Sequence, residues 1–106
     1  MMELIVYVRE GCPHCERLLE AIEGCPGIHA KGVSIVVVPA LRGPLVRGSM
    51  GRTPMEERHG PAMAVVPQLV IRGWKGGRVL EIVVAGAPRD REEFCRVLDA
   101  LATLFA

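Results

Sequence analysis

The chain has 106 residues, 50% of them hydrophobic and 24% charged, which predicts one globular domain over residues 1–106. Its formal net charge of +1 argues against nucleic-acid binding, and no apolar run approaches the roughly 18 residues of a membrane span. Because the N-terminus lacks the basic segment of a secretory signal, we expect a cytoplasmic protein, where cysteines more often serve catalysis or metal binding than structural disulfides.

The N-terminal part predicts a strand followed by a helix. The continuous apolar, β-branched run Met2–Val8 is typical of a strand buried on both faces. Cys12 then occupies a helix N-cap position, with Pro13 at the first helical residue, where a missing N–H costs nothing. The apolar stripe of this helix consists of Cys15, Leu18, Leu19 and Ile22.

Glycine and proline interrupt the next stretch. Gly24 and the pair Pro26-Gly27 are predicted to stop the helix, and residues 33–38 to form a second buried strand. Residues 39–66 are rich in both residue types and indicate little regular structure. Within them, Thr53-Pro54-Met55-Glu56 has the composition of a capped start of a short helix.

A hairpin is predicted after this segment. Pro67 opens a strand over residues 68–72, which is a permitted place for proline. Residues 73–77, Gly-Trp-Lys-Gly-Gly, indicate a turn, and residues 78–84 are predicted to return as the antiparallel partner.

The chain closes on a predicted helix. Asp90 can cap this helix, with Glu93 as the partner in a box-like arrangement. Its apolar stripe consists of Phe94, Val97, Leu98, Leu101 and Phe105. The element order β-α-β-α-β-β-α predicts an α/β fold with a mixed four-stranded sheet flanked by helices, the first two strands parallel and the last two antiparallel.

The cysteines at the first helix start are candidate redox thiols. Cys12 would face the free N–H groups and the positive end of the helix dipole, which favour thiolate over thiol. Cysteines in such motifs have pKa values lowered to about 3.5–7.5. Cys15 lies on the apolar stripe and would be shielded. This asymmetry predicts that Cys12 attacks a disulfide and that Cys15 resolves the mixed disulfide, with no metal or other cofactor.

Three neighbouring residues, His14, Pro13 and Arg9, are candidates for tuning the Cys12 thiolate. When protonated, His14 would add positive charge beside Cys12 and make the couple more oxidising. Arg9, three residues before Cys12, is a second candidate cation.

Other arrangements of the cysteines stay open. A CxxC motif can be half of a zinc site, but the remaining candidate ligands are scattered at Cys25, Cys95, His29 and His59. Cys25 and Cys95 are interpreted as buried thiols, or as a second disulfide if their helical segments meet on one face of the sheet.

These motifs resemble those of glutaredoxins and thioredoxins. The strand ending in Tyr7 and the following Gly-Cys-Pro-x-Cys are similar to the opening of glutaredoxins, and Val66-Pro67 is similar to the Val-Pro signature before their third strand. The Cys-Pro-His-Cys motif also occurs in bacterial periplasmic thiol oxidants. The resemblance implies a thioredoxin-like fold with a cis Val66–Pro67 bond against the cysteine pair. In that fold Val66 and Pro67 would bind an extended substrate peptide.

The resemblance implies a thiol–disulfide oxidoreductase that acts on protein disulfides and needs an upstream thiol reductant or reductase. Val6 stands where thioredoxins carry a buried acid, and residues 86–90 match the glutathione-binding segment of glutaredoxins poorly. Glutathione use is therefore open. The alternatives are a glutathione-dependent glutaredoxin and a thioredoxin-fold binding or metal-trafficking module without turnover.

Overall fold

The strands form one mixed sheet in the computed structural model, which describes residues 1–39 and 67–106. The strand order is β2-β1-β3-β4, and the strands are β1 Met2–Val8, β2 Ser34–Pro39, β3 Gln68–Lys75 and β4 Arg78–Ala85. β1 pairs parallel with β2 and antiparallel with β3, which pairs antiparallel with β4. The predicted mixed four-stranded sheet is confirmed, whereas the predicted short helix beginning at residues 53–56 lies outside the described residues.

The described helices are α1 Pro13–Glu23, α2 Pro26–Ala30 and α3 Arg91–Leu104. α1 begins and ends where the sequence predicts, with Gly24 as its C-cap. The sequence analysis did not predict α2, which begins at Pro26 directly after α1 has ended. Pro26 is tolerated there, since the first helical N–H has no partner inside a helix. At Gly27, a Cβ would lie 1.8 Å from an Asp99 carboxylate oxygen, so α2 and α3 approach closely.

The main core lies between the sheet and α1 and α3. Alternate residues of the central strands point into it, because side chains along a strand alternate between faces. Its members include Leu4 and Val6 of β1, Leu69 and Ile71 of β3, Leu18 and Ile22 of α1, and Leu98 of α3. A smaller buried cluster of Ile5, Tyr7 and Val70 occupies the opposite face. β1 is therefore buried on both faces, as predicted.

The prediction of a second buried strand is wrong in its burial and one residue off in its bounds. β2 runs over Ser34–Pro39, and Val36 and Val37 are 42% and 49% exposed. The physical reason is position, since β2 lies at the edge of the described sheet. Its apolar composition is the same as that of a central strand, so the sequence alone does not separate the two.

The hairpin turn is shorter than the sequence suggests. β3 continues to Lys75, and the turn consists of Gly76 and Gly77 alone, both with positive φ. Two positive φ values in succession favour glycine and match the twist of the strands on either side. Gly73 lies inside β3, paired with Met2 and Leu80. The ring of Phe105 packs on it, and a Cβ there would lie 2.4 Å from ring carbons.

α3 confirms its predicted cap, because the Asp90 side chain accepts the Glu93 backbone N–H at 3.1 Å. Its predicted apolar stripe is only partly buried. Leu98 and Phe105 are buried, but Val97 is 50% exposed and lies at the margin of the core. No helix in the described ranges combines the length and apolar character needed to cross a membrane.

Candidate active site

The structure places Cys12 at the N-terminus of α1. It is the N-cap residue, with extended backbone (φ −102°, ψ 108°), and its sulfur accepts the backbone N–H of Cys15 at 3.2 Å. Its carbonyl accepts the N–H of Glu16 at 3.1 Å, the first bond of the helix. Because the first N–H groups of a helix have no partner inside it, a sulfur at the N-cap sits among hydrogen-bond donors. The predicted position of Cys12 is confirmed.

Cys15 forms a disulfide with Cys12, and their Cα atoms lie 5.2 Å apart. The two sulfurs have different surroundings. Cys12 is partly exposed, whereas Cys15 is only 2% exposed and faces the interior from the first turn of α1. Thus one sulfur of the pair is open to a partner and the other is shielded.

Arg9 contacts the shielded sulfur of this pair. Its backbone N–H donates to Cys15 Sγ at 3.5 Å, a donor that favours negative charge on Cys15. The side chain is partly buried, and its Nε has no hydrogen-bond partner in the described part of the chain. The sequence singled out Arg9 as a cation near Cys12, and the contact seen is through its main chain to Cys15.

His14 is exposed and contacts a residue that the sequence analysis did not single out. The Arg17 guanidinium donates to His14 Nδ1. A guanidinium only donates, so the ring nitrogen is the acceptor in this contact. The tuning of Cys12 by His14 stays a prediction. The spacing of three residues on one helix face was a signal that could have indicated Arg17.

Pro67 lies buried at the start of β3, at the same end of the sheet as the carboxyl end of β1. Its carbonyl accepts the backbone N–H of Gly86 at 2.9 Å, which ties the segment before β3 to the end of β4. Val66, the other residue predicted to shape the substrate groove, lies outside the described residues, and so does the Val66–Pro67 bond.

The residue after Pro67 was missed by sequence reasoning. Gln68 is 1% exposed, and its Oε1 is a buried acceptor without a partner in the described ranges. Such orphaned acceptors are uncommon and call for a physical account. Gln68 stands opposite Tyr7 in the β1–β3 ladder, beside the end of the strand that leads to Cys12. The available signal was a polar residue directly before the apolar run of residues 69–71.

The remaining cysteines also form a disulfide. Cys25 and Cys95 are joined with their Cα atoms 5.2 Å apart, so their helical segments do meet. This resolves the alternatives for this pair in favour of a second disulfide. Within residues 1–39 and 67–106, no group of three or more histidine, cysteine or acidic side chains is arranged to hold a metal ion.

Comparisons with solved structures find thioredoxin-fold proteins over most of the chain. A solution structure of a thioredoxin from Thermus thermophilus aligns with a TM-score of 0.59 and 21% identity, covering 93% of this chain and 72% of that one. A thioredoxin-fold protein from Helicobacter pylori aligns with a TM-score of 0.58 and 17% identity, covering 96% and 69%. A thioredoxin from Malassezia sympodialis (Mala s 13) gives 0.51 and 15%, covering 95% and 77%.

No protein-family model matches the chain, and no curated protein sequence matches it. The structural likeness, at these identities, shows the fold: the chain has a thioredoxin-like fold, and its Cys12–Cys15 disulfide has CxxC spacing. The coarse expectation from the sequence motifs is thereby confirmed. A fold alone does not assign an activity, which has to be argued from the site.

Proposed function

We propose that the protein is a thiol–disulfide oxidoreductase that reduces or exchanges protein disulfides through Cys12 and Cys15. One observation carries the proposal: a partly exposed sulfur at a helix N-terminus is paired with a neighbour that is only 2% exposed. Thiol–disulfide exchange needs an attacking sulfur that a substrate can reach and a second sulfur close enough to resolve the mixed disulfide. The thioredoxin-like fold is consistent with this chemistry.

The reaction balances as two successive exchanges. The Cys12 thiolate attacks one sulfur of a substrate disulfide, forming a mixed disulfide and releasing the other substrate sulfur as a thiolate. The Cys15 thiolate then attacks Cys12 Sγ, which breaks the mixed disulfide and releases the second substrate thiolate. The substrate gains two electrons, and its thiolates take up two protons from solvent. The protein is left with the Cys12–Cys15 disulfide.

The surroundings support a division of labour. The Cys15 N–H bonds to Cys12 Sγ, and the Arg9 N–H points at Cys15 Sγ, so each sulfur has a backbone donor that favours its thiolate. The Arg9 N–H would assist the step in which Cys15 attacks the mixed disulfide, because it favours the Cys15 thiolate. Val6 stands at the place where a buried acid would otherwise take the Cys15 proton. In this proposal His14 and Pro13 shape the exposed turn between the sulfurs, and Val66 and Pro67 border the substrate.

The proposal implies partners of defined chemistry. Substrates are proteins with an accessible disulfide, and turnover as a reductant needs an upstream small thiol or reductase that reduces Cys12–Cys15 again. The Cys12–Cys15 disulfide is itself the redox group of the reaction. We place the activity in the cytoplasm, because that compartment supplies such reductants.

The test is reduction of insulin disulfides by the purified protein with dithiothreitol as electron donor. The expected result is turnover well above the dithiothreitol background, with loss of turnover in Cys12→Ser. A parallel assay with a glutathionylated test thiol and the Cys15→Ser variant examines the glutaredoxin alternative, since monothiol chemistry needs Cys12 alone. Background rates in both assays would contradict the proposed function.

A further inference from the structure

A second disulfide lies outside the proposed exchange chemistry. It joins Cys25, the N-cap residue of α2, to Cys95 in α3, across 70 residues of sequence. Cys25 is 1% exposed and belongs to the main core, and Cys95 packs against that core partly buried. Both sulfurs lie near the Ala21 carbonyl of α1, at 3.1 and 3.9 Å. The bond therefore connects the end of α1 to the first half of α3.

The first half of α3 has no fully buried side chain. The buried side chains of the helix, Leu98 and Ala102, both lie in its second half. The described ion pair of the first half, between Arg91 and Glu20 at 3.1 Å, joins side chains that are 58% and 61% exposed. Exposed ion pairs contribute little to stability, because solvent screens them. Phe94 packs partly buried against the core, and the bond at Cys95 is the covalent anchor of this part of the helix.

The same half of α3 leads directly to the candidate site. Asp90 caps the helix, and only residues 87–89 separate this cap from Gly86. Gly86 has a φ of +83°, and its N–H donates to the Pro67 carbonyl at 2.9 Å. A short segment with one end held by a helix cap and the other by a hydrogen bond moves when the helix start moves. Coupling of this kind travels through contiguous contacts.

We propose that the Cys25–Cys95 disulfide is a positioning element for the Pro67 segment. It holds the start of α3 against α1, and the start of α3 in turn holds Gly86 against Pro67. Only the expected effect on substrate binding rests on the proposed function. Cleavage needs a dithiol such as dithiothreitol, which supplies two electrons and two protons, leaves thiols at Cys25 and Cys95, and becomes a cyclic disulfide.

The test uses hydrogen exchange on the oxidised full chain and on the double variant Cys25→Ala/Cys95→Ala. Removing both cysteines leaves no unpaired thiol. The matched control is Arg91→Gln, which removes the nearby ion pair and keeps the disulfide. We expect exchange at the Gly86 amide to rise about tenfold or more in the double variant, beyond the change at amides inside β1. In Arg91→Gln, exchange at Gly86 should stay near that of the parent.

Substrate kinetics provide the second measurement. We expect an unchanged kcat in the double variant, because Cys12 and Cys15 are intact. We expect a raised KM for insulin, because the Pro67 segment that borders the substrate is less well held. Hydrogen exchange at the Gly86 amide is measured without substrate, so it tests the positioning role even if the proposed function is wrong.

Defined results would overturn the inference. One is an unchanged rate of hydrogen exchange at the Gly86 amide in the double variant. Another is an equal rise in the exchange rate of all amides, which would mean that the variant is only destabilised globally. Labelling of Cys25 and Cys95 by iodoacetamide in the oxidised protein would show that the bond is not formed. If the double variant does not fold, stepwise reduction of the parent chain with dithiothreitol, followed by exchange at Gly86, gives the same comparison.

Discussion

The two disulfides of this chain share a Cα–Cα distance of 5.2 Å, and each joins a buried cysteine to a partly exposed one. Cys12–Cys15 closes a separation of three residues, and its partly exposed cysteine, Cys12, lies at the N-terminus of α1. Cys25–Cys95 closes a separation of 70 residues, and its partly exposed cysteine, Cys95, lies inside α3. Under the proposed function, the position of the more accessible sulfur distinguishes the exchanging disulfide from the structural one.

The largest expected difference between the pairs is in turnover. Replacing the attacking sulfur in Cys12→Ser should abolish reduction of insulin disulfides, because a hydroxyl does not exchange with disulfides. The control Cys25→Ser/Cys95→Ser should keep its kcat. Initial rates with dithiothreitol as donor measure both. Equal loss in the two proteins would break the distinction between an exchanging and a structural disulfide.

A second difference concerns the order of attack within the exchanging pair. With Cys15→Ser, the first step proceeds and the second does not, so a mixed disulfide with substrate should accumulate on Cys12. Non-reducing gels and peptide mass mapping detect it. The reverse result, accumulation on Cys15 in a Cys12→Ser variant, would exchange the proposed roles of the two sulfurs.

The loss of stability on removal should be larger for Cys25–Cys95 than for Cys12–Cys15, which is the reverse of their expected effects on turnover. In the chain-entropy model, loss of Cys25–Cys95 costs about 4 kcal/mol because it closes a long loop, and loss of Cys12–Cys15 costs about 2 kcal/mol. Urea unfolding of the two double alanine variants, Cys25→Ala/Cys95→Ala and Cys12→Ala/Cys15→Ala, measures the difference. A greater loss in the second variant would contradict the structural role given to the first pair.

His14 should affect only the exchanging pair. We expect His14→Tyr to make Cys12–Cys15 more reducing by up to about 30 mV, equivalent to about 1.4 kcal/mol for a two-electron couple. Redox titration against a glutathione buffer measures the potential. Equal potentials in the two proteins would remove His14 from the tuning residues.

The smallest expected effect is at the surface beside Cys25–Cys95. The Lys31–Asp99 ion pair is 3.0 Å long, with side chains 36% and 45% exposed. Asp99→Asn should therefore change the free energy of unfolding by less than about 1 kcal/mol. Urea unfolding in parallel with the double alanine variant checks this. A loss as large as that of the disulfide would mean that the ion pair stabilises the protein as much as the covalent bond does.

Local signals in the sequence accounted for much of the fold and for the positions of Cys12 and Cys15. Pro13 after Cys12 located the start of α1, and the Asp90–Glu93 spacing located the start of α3. Both signals act within a few residues. The burial of Cys15 also followed from its place on the apolar stripe of α1.

The features that the sequence missed depend on contacts between distant residues. Gly73 pairs with strands on both sides and packs under the ring of Phe105, and a glycine in a turn-like sequence shows neither contact. The exposure of β2 depends on its place at the edge of the sheet. Pairing of Cys25 with Cys95 needs two helices to meet, which no local pattern encodes.

Competitive alkylation of the fully reduced protein tests the central claim most directly. A limiting amount of iodoacetamide at about pH 6, where ordinary thiols are protonated, reports which sulfur is both ionised and accessible. Peptide mass mapping then gives the extent of labelling at each cysteine. The account predicts that Cys12 is labelled first and far ahead of Cys15, Cys25 and Cys95. Labelling of Cys12 no faster than of the other three would contradict it.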